Sequence, residues 1–231
     1  MPRTLLAVLA ASVALAGCTP RAVIPDAERQ RVASALDGQP RWLRVAVYVA
    51  PFWGDRSKAL LSDTPTDELD LVETAGGQPV APPAAEKIFA PGTAVRIREV
   101  EFPTGWIIAK RVVMTPRYHP WLLMDVPGDE RAYVLVLSQN DVSFDDVRAE
   151  MDRVLTADDP SPALAALPIE QRDAIGRKEL VEGMSARAVE MAWGLPERRR
   201  IDRPAATEEW IWAGGKRKAF FLEERLQRWD R

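Results

Sequence analysis

The sequence predicts an α+β protein made of two units: a strand-rich unit that would close as a small antiparallel β-barrel, then a helix–helix–three-strand antiparallel unit. Three observations predict it. Between residues 41 and 138, short apolar or alternating segments recur at roughly 8–12-residue spacing between glycine and proline turns. After residue 166, two helical patterns carry their own start and stop residues. Strand patterns then run to the end. The chain has 231 residues, more than the roughly 100–150 of a typical single domain. Hydrophobic residues make up 47% of it, eight of them tryptophans, so it can fill real cores and is no disordered tether.

The opening segment has the layout of an export signal. Arg3 is the positive start, Leu5 to Leu15 form an apolar run too short to span a bilayer about 30 Å thick, and small residues follow. Residues 1–17 are therefore expected to be removed, and no other apolar run approaches a membrane span of roughly 20 residues. Residues 18–40 are polar and interrupted by Pro20, Pro25 and Pro40, which suggests a linker. Asp26 to Leu36 has helical character within it, with Val32, Ala35 and Leu36 as a short apolar stripe.

The barrel-like unit is expected over 41–142. Its candidate strands are RWLRVAVYVA, AVRIREVEF, IIAKRVVM, WLLMDV and RAYVLVLS. The second alternates strictly, with Val95, Ile97, Glu99 and Glu101 on one side and Arg96, Arg98, Val100 and Phe102 on the other. A helix and linker follow over 143–165. Ser143 and Asp146 have capping-box spacing, and Phe144, Val147, Met151, Val154 and Leu155 share a face.

In the last unit, 166–231, Pro168 suits a first helical position, with Glu170 early and Arg177 and Lys178 late, as the helix dipole favours. Ser185 caps the second helix, Val189, Ala192 and Trp193 share a face, and Gly194 with Pro196 ends it. RRRID, TEEWIWA and KRKAFFLEE are the three strands, and RLQRWD either continues the third or adds a fourth. Trp210 and Trp212, two apart on one strand, fall on the same face, which either the helices or a partner must cover, the helices being the expected cover.

Three resemblances attach to these residues. Leu15-Ala16-Gly17-Cys18 resembles the lipobox of bacterial lipoproteins, which implies a signal peptide cut before Cys18 and fatty acyl groups, palmitate among them, on that residue. Thr19 stands where many inner-membrane lipoproteins carry Asp, which implies sorting to the periplasmic face of the outer membrane. FAPGTAVRIREVEFP is similar to the strand-turn-strand phrasing of SH3-like barrels, which in bacterial cell-wall proteins hold peptidoglycan. Gly183, Met184, Ser185, Val189, Gly194, Pro196, Trp210 and Trp212, in that order, resemble the SmpA/OmlA (BamE-like) lipoprotein domain. That likeness covers about the last quarter of the chain. It implies an envelope protein that acts through contacts, in outer-membrane protein assembly or with anionic phospholipid, while the long strand-rich unit before it departs from the family.

Residues able to do chemistry are few. Nucleophilic catalysis needs a base beside the nucleophile, yet the chain has one histidine, His119, in a proline-bounded loop, and one cysteine, Cys18. No internal disulfide can form and no zinc-ligand cluster can be assembled, so neither catalysis nor a cofactor beyond the lipid on Cys18 is expected. The acidic run from Ser62 to Asp70 lacks the calcium-loop glycine and is expected to be a solvated turn. Residues 166–231 hold 14 Lys/Arg against 12 Asp/Glu, while residues 18–165 hold 16 against 22. The basic excess gathers at Arg198, Arg199, Arg200, Lys216, Arg217 and Lys218, either the candidate surface for an envelope protein or anionic lipid or a solvated, salt-bridged sheet edge. An exported chain is not expected to meet nucleic acid.

Overall fold

The computed structural model describes residues 24–74 and 77–231. Eight strands form one mixed sheet: β1 (Pro40–Leu43), β2 (Val47–Phe52), β3 (Asp55–Ser62), β4 (Lys87–Phe89), β5 (Ala94–Glu101), β6 (Trp121–Asp125), β7 (Ala132–Val136) and β8 (Leu155–Thr156). Their spatial order is β4-β2-β3-β7-β6-β5-β1-β8, antiparallel throughout except where β3 runs parallel to β7.

No closed barrel is found among the described residues. The strand-turn-strand of FAPGTAVRIREVEFP does not fold as a hairpin: β4 pairs with β2, whereas β5 lies between β6 and β1 on the other half of the sheet. The backbone of Leu43 occupies the turn between them, accepting from the Gly92 amide at 2.8 Å and donating to Thr93 at 2.9 Å. RWLRVAVYVA, read as one strand, divides at Arg44–Ala46 into β1 and β2, which are far apart in the sheet.

Two further sequence readings change. IIAKRVVM is not a strand. Thr104 accepts a hydrogen bond from the Ile107 amide and starts a short helix, α2 (Gly105–Lys110), while both edges of β5 are already paired. Alternation in β5 is broken by a bulge between Ile97 and Glu99. Val95 and Ile97 before it, and Val100 and Phe102 after it, therefore reach the same core.

That core lies under α1 (Asp26–Leu36) and α3 (Phe144–Val154). Helix α1 lies inside the segment expected to be a linker, yet Ile24, Val32 and Leu36 are buried in the core with Val147, Met151 and Val154 of α3. Ser143 and Asp146 form the capping box that starts α3. The opposite face of the sheet carries a second apolar cluster of Ala50, Phe52, Leu60, Trp121, Leu123 and Val134.

Beyond α4 (Ser161–Ala165), helices α5 (Ile169–Gly176) and α6 (Ala186–Trp193) pack on an antiparallel meander. It has four strands rather than three: β9 (Arg198–Asp202), β10 (Thr207–Trp212), β11 (Arg217–Leu222) and β12 (Arg225–Asp230). Trp193, Trp210, Trp212, Ala219, Phe221 and Leu226 fill the space between helices and sheet, with Trp193 set edge-on to Trp212 at 5.3 Å.

Candidate functional site

The two sheets meet where α6 ends. Gly194 stops the helix at φ +83°, and Pro196 has no N–H to give the Ala192 carbonyl. The carbonyls of this last turn find partners elsewhere. Met191 accepts from the Ala46 amide at 2.7 Å, Ala192 from the Lys178 ammonium at 2.9 Å, Gly194 from the Trp212 indole at 3.3 Å and Leu195 from Arg153 at 2.9 Å. A Cβ on Gly194 would stand 2.7 Å from the Asp63 carboxylate, so the glycine also permits a close approach of the first unit.

Lys178 is only 1% exposed, and its amine also donates to the Ala46 carbonyl at 2.6 Å. Two carbonyls match the two N–H donors of a neutral amine. Burial pushes its pKa down to about 7, Asp63 opposing this through space while Arg217 and Arg231 reinforce it. Arg217, expected on the exposed basic surface, is instead 5% exposed and pairs with Glu68 at 3.2 Å. The acidic run 62–70 is thus one side of this junction rather than a free turn, and opposite net charges of the two units meet across it.

The motif residues serve this architecture. Gly183 and Met184 exchange backbone hydrogen bonds with Leu226 of β12, and the Ser185 hydroxyl caps α6 by accepting from the Ala188 amide. Val189, Trp210 and Trp212 are buried. Cys18 and Thr19 lie outside the described residues.

The six basic residues do not form one patch, because strand parity divides them. Arg199 and Arg217 face the helices, Arg199 over Trp210 at 4.2 Å and bridged to Glu190. Arg198, Arg200 and Lys218 face outward, and Lys216 is exposed in the turn before β11. On the outer face Glu209 bridges Lys218 at 3.2 Å and Arg200 at 2.9 Å. Lys218 first, then Arg200, hold its carboxyl below the usual range. A shallow groove of about 530 Å³ runs beside this bridge, lined by Arg200, Phe220, Leu222 and Arg228 among others. Arg228 stacks 3.6 Å over Phe220. Sequence reasoning missed Arg228, although the register Phe220↔Arg228 follows from a two-residue period once β12 is seen as a strand.

This outer face is suited to contact. It offers guanidinium groups, a cation-covered ring and exposed Leu222. His119 is part of a structural network: Nδ1 donates to the Leu137 carbonyl at 2.8 Å, and the Gln139 amide donates to Nε2 at 2.6 Å. No group of three or more His, Cys, Asp or Glu side chains among the described residues is placed to hold a metal ion. No family profile, curated protein or solved structure matches the chain.

Proposed function

We propose that this is an exported lipoprotein, held by acyl groups on Cys18 at the periplasmic face of the outer membrane. It works there by contact, as an interaction and assembly module in envelope or outer-membrane protein biogenesis. The carrying observation is the junction at α6, where four carbonyls of one helix end are capped by other elements, two of them the Ala46 amide and Arg153. Such a joint makes the two sheets one rigid support for the outer face of β9–β12. The order of helix, helix and meander, and the structural work of Gly183–Ser185 and Gly194–Pro196, support reading the last unit as SmpA/OmlA-like. Peptidoglycan binding, the alternative suggested by the sequence, loses its scaffold with the barrel.

A photo-crosslinking residue placed at Arg200 or Arg228 in intact cells tests this. Discrete adducts with an envelope protein are expected, and they should disappear in Cys18→Ala, which leaves the chain unanchored. Absence of any adduct from either position would count against the reading.

A further inference from the structure

Five of the eight large apolar side chains exposed among the described residues fall within thirteen positions of the β5–β6 connection. They are Trp106 and Val113, each 70% exposed, with Val112, Met114 and Tyr118. The surrounding stretch, residues 102–124, contains no Asp or Glu, in a chain with 34 acidic residues. Its cations flank the aromatic rings: exposed Lys110 lies 4.5 Å over Trp106, and half-buried Arg117 lies 5.5 Å over Tyr118.

The base of this connection is tied down. Arg111 is buried and donates to the Glu101 carboxylate at 2.9 Å, the Glu101 carbonyl at 3.0 Å, and the Arg117 and His119 carbonyls at 2.7 Å each. Its guanidinium lies 3.5 Å over Trp121, whose indole donates to the Pro116 carbonyl. An apolar tip is therefore presented from a fixed base, so little ordering remains to oppose binding.

The described chain starts at the same end of the sheet. Glu28 of α1 accepts from the Phe144 amide that opens α3, Glu150 of α3 accepts from Ser138, and Leu137 donates to the Pro120 carbonyl at the close of the connection. Cys18 is six residues before Ile24, a reach of about 20 Å when extended.

We infer that residues 103–118 insert into the headgroup region of an anionic phospholipid bilayer, as a second membrane contact beside the lipid anchor. This rests on the proposed anchoring at Cys18. Tryptophan and tyrosine favour the membrane–water interface, apolar Val112, Val113 and Met114 contribute buried area, and Lys110 and Arg117 meet anionic headgroups.

The test uses the full mature chain with Cys18→Ser, which removes the anchor, and with Met114→Cys as the sole thiol for an environment-sensitive dye. On vesicles containing phosphatidylglycerol the dye should shift to the blue and be quenched by lipids bearing a shallow quencher. Vesicles of phosphatidylcholine alone should bind less, and salt should weaken the phosphatidylglycerol signal. In co-sedimentation of the otherwise unlabelled chain, Trp106→Ser with Val113→Ser should lower partitioning about tenfold, given the apolar area removed. Both positions are exposed, and an unchanged melting temperature would confirm that the fold is intact. A dye that stays in water on every vesicle, as when the patch meets a protein instead, or a double variant that partitions like the parent, would overturn the inference. Unmodified Cys18 in cells, with insertion intact, would instead remove the anchor and leave this contact standing.

Discussion

Arg111 and Lys178 are both cations withdrawn from water, one at the base of the β5–β6 connection and one at the junction of the two sheets, and the fold treats them in opposite ways. Arg111 meets a carboxylate, three carbonyls and an aromatic face, so burial lowers its pKa while Glu101 works to raise it. A guanidinium stays charged in such a setting. Lys178 meets two carbonyls and, 5.0 Å away, the Tyr48 ring; its counter-charge Asp63 acts only through space, and its pKa falls to about 7. The lesson concerns stoichiometry: five donors and a carboxylate keep a buried charge, whereas two acceptors select the neutral amine.

Breaking the Arg111 arrangement should have the largest effect. Arg111→Met would strand the Glu101 carboxylate and two loop carbonyls, with a loss of about 3–5 kcal/mol in chemical denaturation. Protease cleavage should then appear within 103–118. Arg217→Met should cost less, about 2–3 kcal/mol by the same measurement, because it strands the Glu68 carboxylate, whereas Arg111 also holds three carbonyls besides its carboxylate.

Lys178 sharpens the comparison through pH. Below about pH 7 both folded and unfolded chains hold its proton and the full burial penalty applies. Between that value and its ordinary 10.5 only the unfolded chain holds the proton, so stability should rise with pH, by on the order of 1 kcal/mol per unit. Urea unfolding at pH 7, 8 and 9 should show this slope in the parent, and Lys178→Met should lack it. The smallest effect is expected at Arg200, exposed and paired with Glu209. Arg200→Glu should shift stability by less than about 1 kcal/mol while weakening the outer-face crosslink.

Local punctuation in the sequence was enough for α6, whose cap at Ser185 and stop at Gly194 and Pro196 lie within twelve residues. It was also enough for the capping box of α3 and the span of α1. The burial of α1 was not legible, because Val32 and Leu36 make only a narrow stripe and their partners on α3 are more than a hundred residues away. The open mixed sheet was hidden for a related reason: the parallel pairing of β3 with β7 leaves no turn signal. For the candidate site, the basic composition of β9 and β11 was visible but its division between two faces was not. Arg217 reads as one of three consecutive cations, and only Glu68, 149 positions earlier, makes it a buried member of the junction. Lys178 had one faint signal, in Pro196 four residues after Ala192, which leaves a helix carbonyl in need of a donor.

Mass spectrometry of the N-terminal peptide, from protein extracted out of the cell envelope, tests the proposed function most directly. The expected result is a chain that begins at Cys18 and carries acyl chains on that residue. A chain that retains Met1–Gly17, or one with an unmodified Cys18 thiol, would contradict it.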